Sequence, residues 1–111
     1  MERLTKSGSA SPATGLPKTI RLLHLTIPIV SGGTTDSDSL GEWHANKAEI
    51  HYDPDTTPAV LRETIVHEML HAVCEHSGLD PEEHETIIRS ISPLVLHVLR
   101  ENPKFVSWLI K

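Results

Sequence analysis

The segment HEMLH, residues 67–71, limits the structure and chemistry of this chain more than any other feature. On an α-helix, residues i and i+4 lie one above the other on the same face, so His67 and His71 can bind one metal ion. Catalytic Zn²⁺ sites combine three protein ligands with one position left open for water. Glu68 is rotated by about 100° from His67, so we expect it beside the metal as a general base, not as a ligand.

The residues around HEMLH favour a helix over a chance order of polar residues. Thr57 and Pro58 are typical of an N-cap and a first helical position, and the helix is predicted to end near His76. Gly78 is the candidate for the C-terminal cap. The apolar positions of this helix centre on the side opposite the two histidines: Leu61, Ile65, Val66, Met69, Leu70, Ala72 and Val73. The alternative interpretation is a solvated helix face that carries two surface histidines.

A second helix, predicted over residues 81–100, offers three candidates for the third metal ligand. Glu83, His84 and Glu85 point in different directions on this helix, and periodicity does not choose among them. Cys74 is a candidate for a fourth ligand, although a lone helical cysteine is more often a small packing residue. A metal site closed by Cys74 or His84 would favour a structural role over catalysis.

The rest of the sequence predicts an α+β domain. Residues 1–17 have the composition of a disordered tail, and residues 18–111 are predicted to form a single domain. Residues 19–30 are rich in β-branched side chains and predict a strand, and residues 40–53 predict a hairpin. We therefore expect a small, mainly antiparallel sheet packed on the HExxH helix, followed by the second long helix and a short C-terminal helix at 104–111.

Composition restricts the partners and the cellular location. The formal net charge is −5 and there is no cluster of Lys and Arg, which argues against binding to nucleic acid or to anionic membrane surfaces. No apolar run approaches the roughly 18 residues that a membrane span needs. The single cysteine, Cys74, fits a reducing compartment, so we expect a cytoplasmic protein. The sequence does not indicate an oligomeric state.

Residues 40–111 resemble the small phage and prophage minigluzincins, which are zinc peptidases of the HExxH type. The resemblance is carried by EIHYDPDTTPAVLRETIVHEMLHAV and by EEHETIIRSISPLVLHVLRENPKFVSWL. It implies one small domain with a short sheet on the zinc helix and a glutamate from the later helix as third ligand. Glu85 fits the family spacing, except that Ile88 stands where a small residue is usual. The resemblance thus implies that His67, His71 and Glu85 bind Zn²⁺.

The function implied is hydrolysis of a peptide or protein substrate by a metal-activated water, with Glu68 as general base. An extended substrate is expected to add as a strand along the hairpin edge at 49–53. Tyr52, His51 and His44 on the hairpin are candidates to polarise the substrate carbonyl. The alternative function is a zinc-containing binding or regulatory protein of phage or prophage origin, without catalysis.

Overall fold

A computed structural model describes residues 13–111 of the chain. Four strands precede three helices. The strands are β1 (Thr19–Leu22), β2 (Leu25–Ser31), β3 (Gly41–His44) and β4 (Glu49–Tyr52). The helices are α1 (Pro58–His76), α2 (Pro81–Glu101) and α3 (Pro103–Leu109). This arrangement confirms the predicted α+β class. Among the described residues, no helix is long and apolar enough to cross a membrane.

The four strands form one mixed sheet in the order β1-β2-β4-β3. The β3–β4 pair is the predicted antiparallel hairpin, the β1–β2 pair is also antiparallel, and β2 and β4 run parallel. The prediction of one strand over 19–30 was wrong, because the chain reverses after Leu22 and residues 25–31 form a second strand. Leu23 adopts φ 55°, a conformation that leucine rarely takes, and no glycine or asparagine marks this turn.

Helix α1 begins and ends where the sequence predicts. The Thr57 side chain accepts a hydrogen bond of 3.3 Å from the Val60 N–H, so it is the N-cap. At the other end Gly78 has φ 82°, its N–H donates to the Glu75 carbonyl, and the Leu79 N–H donates to the Cys74 carbonyl. These two bonds form a Schellman motif, which ends the helix and satisfies its last carbonyls.

The hydrophobic core lies between the sheet and one face of α1. It consists of Ile27, Ile50, Tyr52, Leu61, Ile65 and Ala72. Ile27 and Ile50 are fully buried, and burial of such a side chain stabilises the fold by roughly 1.5–3 kcal/mol. Residues 13–17, assigned to the tail from sequence, contribute Ala13 and Leu16 to the edge of this core, while residues 1–12 lie outside the described part. Because α1 packs its apolar face on the sheet, the histidines are left facing α2.

Helix α2 packs against α1 through a narrow face. His84, Ile88 and Ser92 are buried and lie four residues apart, so they share one side of the helix. The Asp80 side chain caps the start of α2 by accepting from the Glu82 N–H at 2.9 Å. Helix α3 packs on α2, and its Trp108 is 71 % exposed. The position of α2 brings the 83–85 segment to the histidines of α1.

Candidate metal centre

Helices α1 and α2 bring two imidazoles and one carboxylate to a single point. The Nε2 atoms of His67 and His71 are 3.2 Å apart. Glu85 Oε2 lies 2.8 Å from His71 Nε2, and Glu85 Oε1 lies 3.3 Å from His67 Nε2. Among the residues that the structure describes, these three are the group that could hold a metal ion. Of the three candidates from the sequence, Glu85 is the one that the structure brings to the two Nε2 atoms.

The spacing of these donor atoms suits a small tetrahedral cation. Zinc–ligand bonds of about 2.0–2.2 Å at tetrahedral angles place neighbouring ligand atoms about 3.3 Å apart. The two imidazole nitrogens, 3.2 Å apart, match this value, and the two oxygens of Glu85 lie 3.3 Å from His67 Nε2 and 2.8 Å from His71 Nε2. Two imidazole nitrogens with one carboxylate are also a donor set that zinc favours. The residues present thus fit the ion that the HExxH pattern implies.

His71 is the more enclosed of the two histidines. Its Nε2 faces Glu85, and its other ring nitrogen, Nδ1, lies 3.1 Å from Nδ1 of His84. Burial lowers the pKa of His71, and the nearby His67 and His84 lower it further, although the Glu85 carboxylate opposes them. A neutral imidazole is the form that binds a metal, so this environment prepares His71 as a ligand.

Glu68 is next to the cluster but is not part of it. The residue is only 7 % exposed, and its carboxylate accepts a hydrogen bond from the backbone N–H of Trp43 on β3. Burial raises the pKa of Glu68 to about 7, with the negative charges of Glu85 and Glu42 adding to the effect. A carboxyl group with a pKa near neutrality can both take and return a proton, as a general base must.

Strand β3 is the free edge of the sheet on the side of the site. The Asp53 N–H donates to the Leu40 carbonyl at 2.9 Å, which makes residues 40 and 53 a hydrogen-bonded pair. Antiparallel pairs alternate, so the backbone groups of Gly41 and Trp43 point away from β4. The predicted substrate edge at 49–53 was wrong, because β4 pairs with β2 on one side and with β3 on the other.

Gly41 lets this edge strand approach α1 closely. A β-carbon at this position would overlap the methyl carbon of Thr64 and would contact the Glu68 side chain at 3.4 Å. About two turns beyond Glu68 on α1, the Trp43 indole N–H donates to a carboxylate oxygen of Glu75 at 3.2 Å. Strand and helix are therefore fixed to each other on both sides of Glu68.

The cluster opens into a cleft of about 1030 Å³. One wall is β3 with Ser39 and Leu40 before it, and the other wall comes from α2, including Arg89 and Pro93. His67, Glu68 and His71 form the floor. The Arg89 guanidinium lies 3.5 Å from Glu85 Oε1 and is 77 % exposed. No other Lys or Arg lines this cleft within the described chain.

The hairpin candidates for polarising a carbonyl do not reach the cluster. Tyr52 belongs to the core, and His51 is buried with its Nδ1 2.8 Å from the Gly32 carbonyl oxygen. His44 Nε2 bonds to Glu42 at 2.9 Å. None of these three side chains lines the cleft. The alternation of apolar and polar residues predicts which side chains share a face of the sheet. It does not show which face lies over the site.

Cys74 is not part of the donor group around His67, and Glu83 is exposed on α2. His84, the remaining candidate, lies behind His71 and not beside Glu85. The described residues therefore offer three candidate donors, and the cluster faces the cleft. This geometry matches a catalytic metal site more closely than a closed structural one.

Three residues of the site could not be found by motif. Glu42 lines the cleft and holds the loop before β3 by accepting from the backbone N–H groups of Thr35 and Asp36 at 2.8 and 3.2 Å. Burial opposes ionisation of Glu42, but the bonds from His44, Thr35 and Asp36 outweigh it and lower its pKa to about 2. Trp43 carries no sequence signal for its role. Arg89 carries a weak one, the i+4 spacing from Glu85.

Comparisons of the chain with protein-family models, with curated proteins and with solved structures found no significant match. The function has to be inferred from the geometry of His67, His71, Glu85 and Glu68 and from the chemistry that these side chains allow.

Proposed function

We propose that this protein is a zinc-dependent peptidase. The observation that carries the proposal is the set of three donor atoms, two imidazole nitrogens and a carboxylate oxygen, with a buried glutamate beside them and a cleft above. A bound Zn²⁺ would supply Lewis acidity, which activates water for attack at neutral pH and polarises a carbonyl. His67, His71 and Glu85 would hold it.

Glu68 would move the proton in this reaction. As a carboxylate it takes the proton from the attacking water, and as a carboxylic acid it gives that proton to the nitrogen of the leaving amine. Burial raises the pKa of this carboxyl, and a raised pKa favours its holding the proton between the two transfers. Its burial also excludes bulk water from the point of transfer.

Strand β3 would bind the substrate by strand addition. Gly41 and Trp43 direct their backbone N–H and C=O groups away from β4, and both residues line the cleft. The Trp43 N–H is bonded to Glu68. A substrate carbonyl that takes over this N–H would release the Glu68 carboxylate for proton transfer. Substrate binding and activation of the base are thereby linked through one backbone group.

Arg89 replaces the hairpin residues as the candidate for stabilising the oxyanion. Its guanidinium stands on the α2 wall of the cleft, 3.5 Å from a carboxylate oxygen of Glu85. A cation so close to the metal ligands can stabilise negative charge that develops on a carbonyl oxygen. Its high exposure leaves the side chain free to turn toward a bound peptide.

The proposal is tested by hydrolysis of a broad peptide library with zinc-loaded wild type and with Glu68→Gln. Gln keeps the size of the side chain and an acceptor for the Trp43 N–H but cannot take a proton. We expect wild-type cleavage and a loss of at least about two orders of magnitude in the variant, with zinc content unchanged. Zinc binding without any wild-type cleavage would instead support the non-catalytic, regulatory alternative.

From the resemblance to phage and prophage minigluzincins we also propose a cellular location and a class of substrate. A cytoplasmic location is supported by the single cysteine, Cys74, which needs no oxidising compartment. Peptide or protein substrates are favoured over nucleic acid because the cleft carries several glutamates and only one arginine in the described chain. Fractionation of the producing cells, with activity followed in each fraction, tests the location.

A further inference from the structure

His84 is a buried histidine that faces the metal centre from behind. It is 5 % exposed and lies on the face of α2 that packs on α1, in line with Ile88 and Ser92. Its Nδ1 is 3.1 Å from Nδ1 of His71, and the two rings meet edge to face with centroids 5.0 Å apart. A buried polar side chain directed at a ligand residue needs a function, because burial without a hydrogen-bond partner is costly.

The role of His84 follows from which ring nitrogen of His71 is available to a metal and which one carries a hydrogen. His71 Nε2 points to Glu85 and His67, so this nitrogen is the one available to a metal. An imidazole that binds a metal through Nε2 keeps its proton on Nδ1 and donates it to a neighbour. The neighbour at hydrogen-bond distance is Nδ1 of His84, which must then be unprotonated and act as the acceptor. The proton of a neutral His84 therefore lies on Nε2.

We propose that His84 is a positioning residue that accepts the Nδ1 hydrogen of His71 and thereby fixes the ring orientation and tautomer of this ligand. The inference rests on the proposed function, because it requires that the cluster of His67, His71 and Glu85 binds a metal. It also explains why a residue adjacent to Glu85 is buried rather than solvated. The adjacent residues His84 and Glu85 contact the two different ring nitrogens of His71: Glu85 lies at Nε2 and His84 lies at Nδ1.

A pair of isosteric substitutions separates this role from a simple packing role. In His84→Asn the side-chain amide would fall where Nδ1 of the imidazole lies, so its oxygen can accept from His71. In His84→Gln the amide would fall near the position of Nε2, which does not face His71. Both variants change the buried volume and polarity in similar ways, so a packing role predicts similar effects. The proposed role predicts that the asparagine variant keeps the hydrogen bond and the glutamine variant does not.

The measurement is the zinc dissociation constant of the full chain, obtained by competition with a chromophoric chelator. His84→Gln and His84→Leu should weaken zinc binding about 10- to 100-fold, the usual effect of losing the partner of a metal-bound histidine. His84→Asn should stay within a few-fold of wild type. His97→Asn, on the exposed side of α2, is the matched control and should change nothing.

An NMR measurement gives a second readout that does not depend on activity. In ¹⁵N-labelled, zinc-loaded wild type the Nδ1 hydrogen of His71 should be protected from exchange, and His84→Gln should abolish this protection while His84→Asn retains it. Equal zinc affinity in the Asn, Gln and Leu variants would overturn the positioning role and leave the proposed function standing. A wild type that binds no zinc would overturn both the positioning role and the proposed function. If His84→Asn weakens zinc binding as much as His84→Gln does, His84 has only a packing role.

Discussion

The buried carboxyl of Glu68 should make the metal-free protein less stable as the pH rises. Burial, together with the charges of Glu85 and Glu42, raises the pKa of Glu68 from 4.5 to about 7. A tenfold change in an acid constant corresponds to about 1.4 kcal/mol, so ionising this side chain in the fold costs roughly 3 kcal/mol. Below about pH 4.5 the group is protonated in both the folded and the unfolded chain, and this cost is absent.

The sign of the effect follows from proton binding in the two states. Between pH 4.5 and 7 the unfolded chain releases the proton while the folded protein keeps it, so the free energy of unfolding falls as the pH rises. Above about pH 7 the loss is complete. Glu68→Gln carries no ionisable group and retains an acceptor for the Trp43 N–H, so it should escape this loss.

Urea denaturation of metal-free wild type and Glu68→Gln in the presence of a chelator measures the difference. The stability of the variant relative to wild type should increase by roughly 2–3 kcal/mol between pH 5 and pH 8.5. Glu63→Gln, an exposed position on the same helix, should follow the wild-type pH dependence. A Glu68→Gln difference that is the same at both pH values would show that ionisation of this carboxyl does not destabilise the fold.

Three further predictions concern the metal, the edge strand and the loop before it. Equimolar Zn²⁺ should raise the thermal midpoint of wild type but not of His67→Ala, and an equal rise in both would place the binding elsewhere. Gly41→Ala should cost about 1–3 kcal/mol in urea denaturation because its methyl group would overlap Thr64, and a neutral result would contradict the close contact of β3 with α1. Glu42→Gln should speed hydrogen exchange at the Thr35 amide at neutral pH, because the amide loses its charged acceptor. Wild type should show the same loosening only as the pH falls through about 2, where the low pKa of Glu42 is reached. Unchanged exchange in the variant would show that the carboxylate does not hold this loop.

The parts of the fold that depend on local sequence were predictable. Helix α1 has a polar cap, a proline at its first position, an apolar face and a C-terminal glycine, so both of its ends were predicted correctly. The i, i+4 spacing of His67 and His71 needs only the helix to bring the two imidazoles together. The hairpin β3–β4 also has its signals within a short segment.

The parts that depend on tertiary contacts were not predictable. The turn at Leu23 has no residue that favours a positive φ, so the two strands β1 and β2 appear as one in the sequence. The parallel pairing of β2 with β4 makes β3 the edge strand, and no local pattern encodes a pairing between distant strands. Periodicity on α2 left the third ligand open, because the choice of Glu85 over His84 depends on how α2 packs against α1.

A crystal structure of the protein grown with zinc, with anomalous data recorded on both sides of the zinc absorption edge, would show whether and where the ion binds. We expect one strong peak per chain, bound by Nε2 of His67, Nε2 of His71 and a carboxylate oxygen of Glu85, with no fourth protein ligand and with Glu68 beside the ion but not bound to it. A peak coordinated by Cys74 or His84, or a site without zinc, would contradict this expectation.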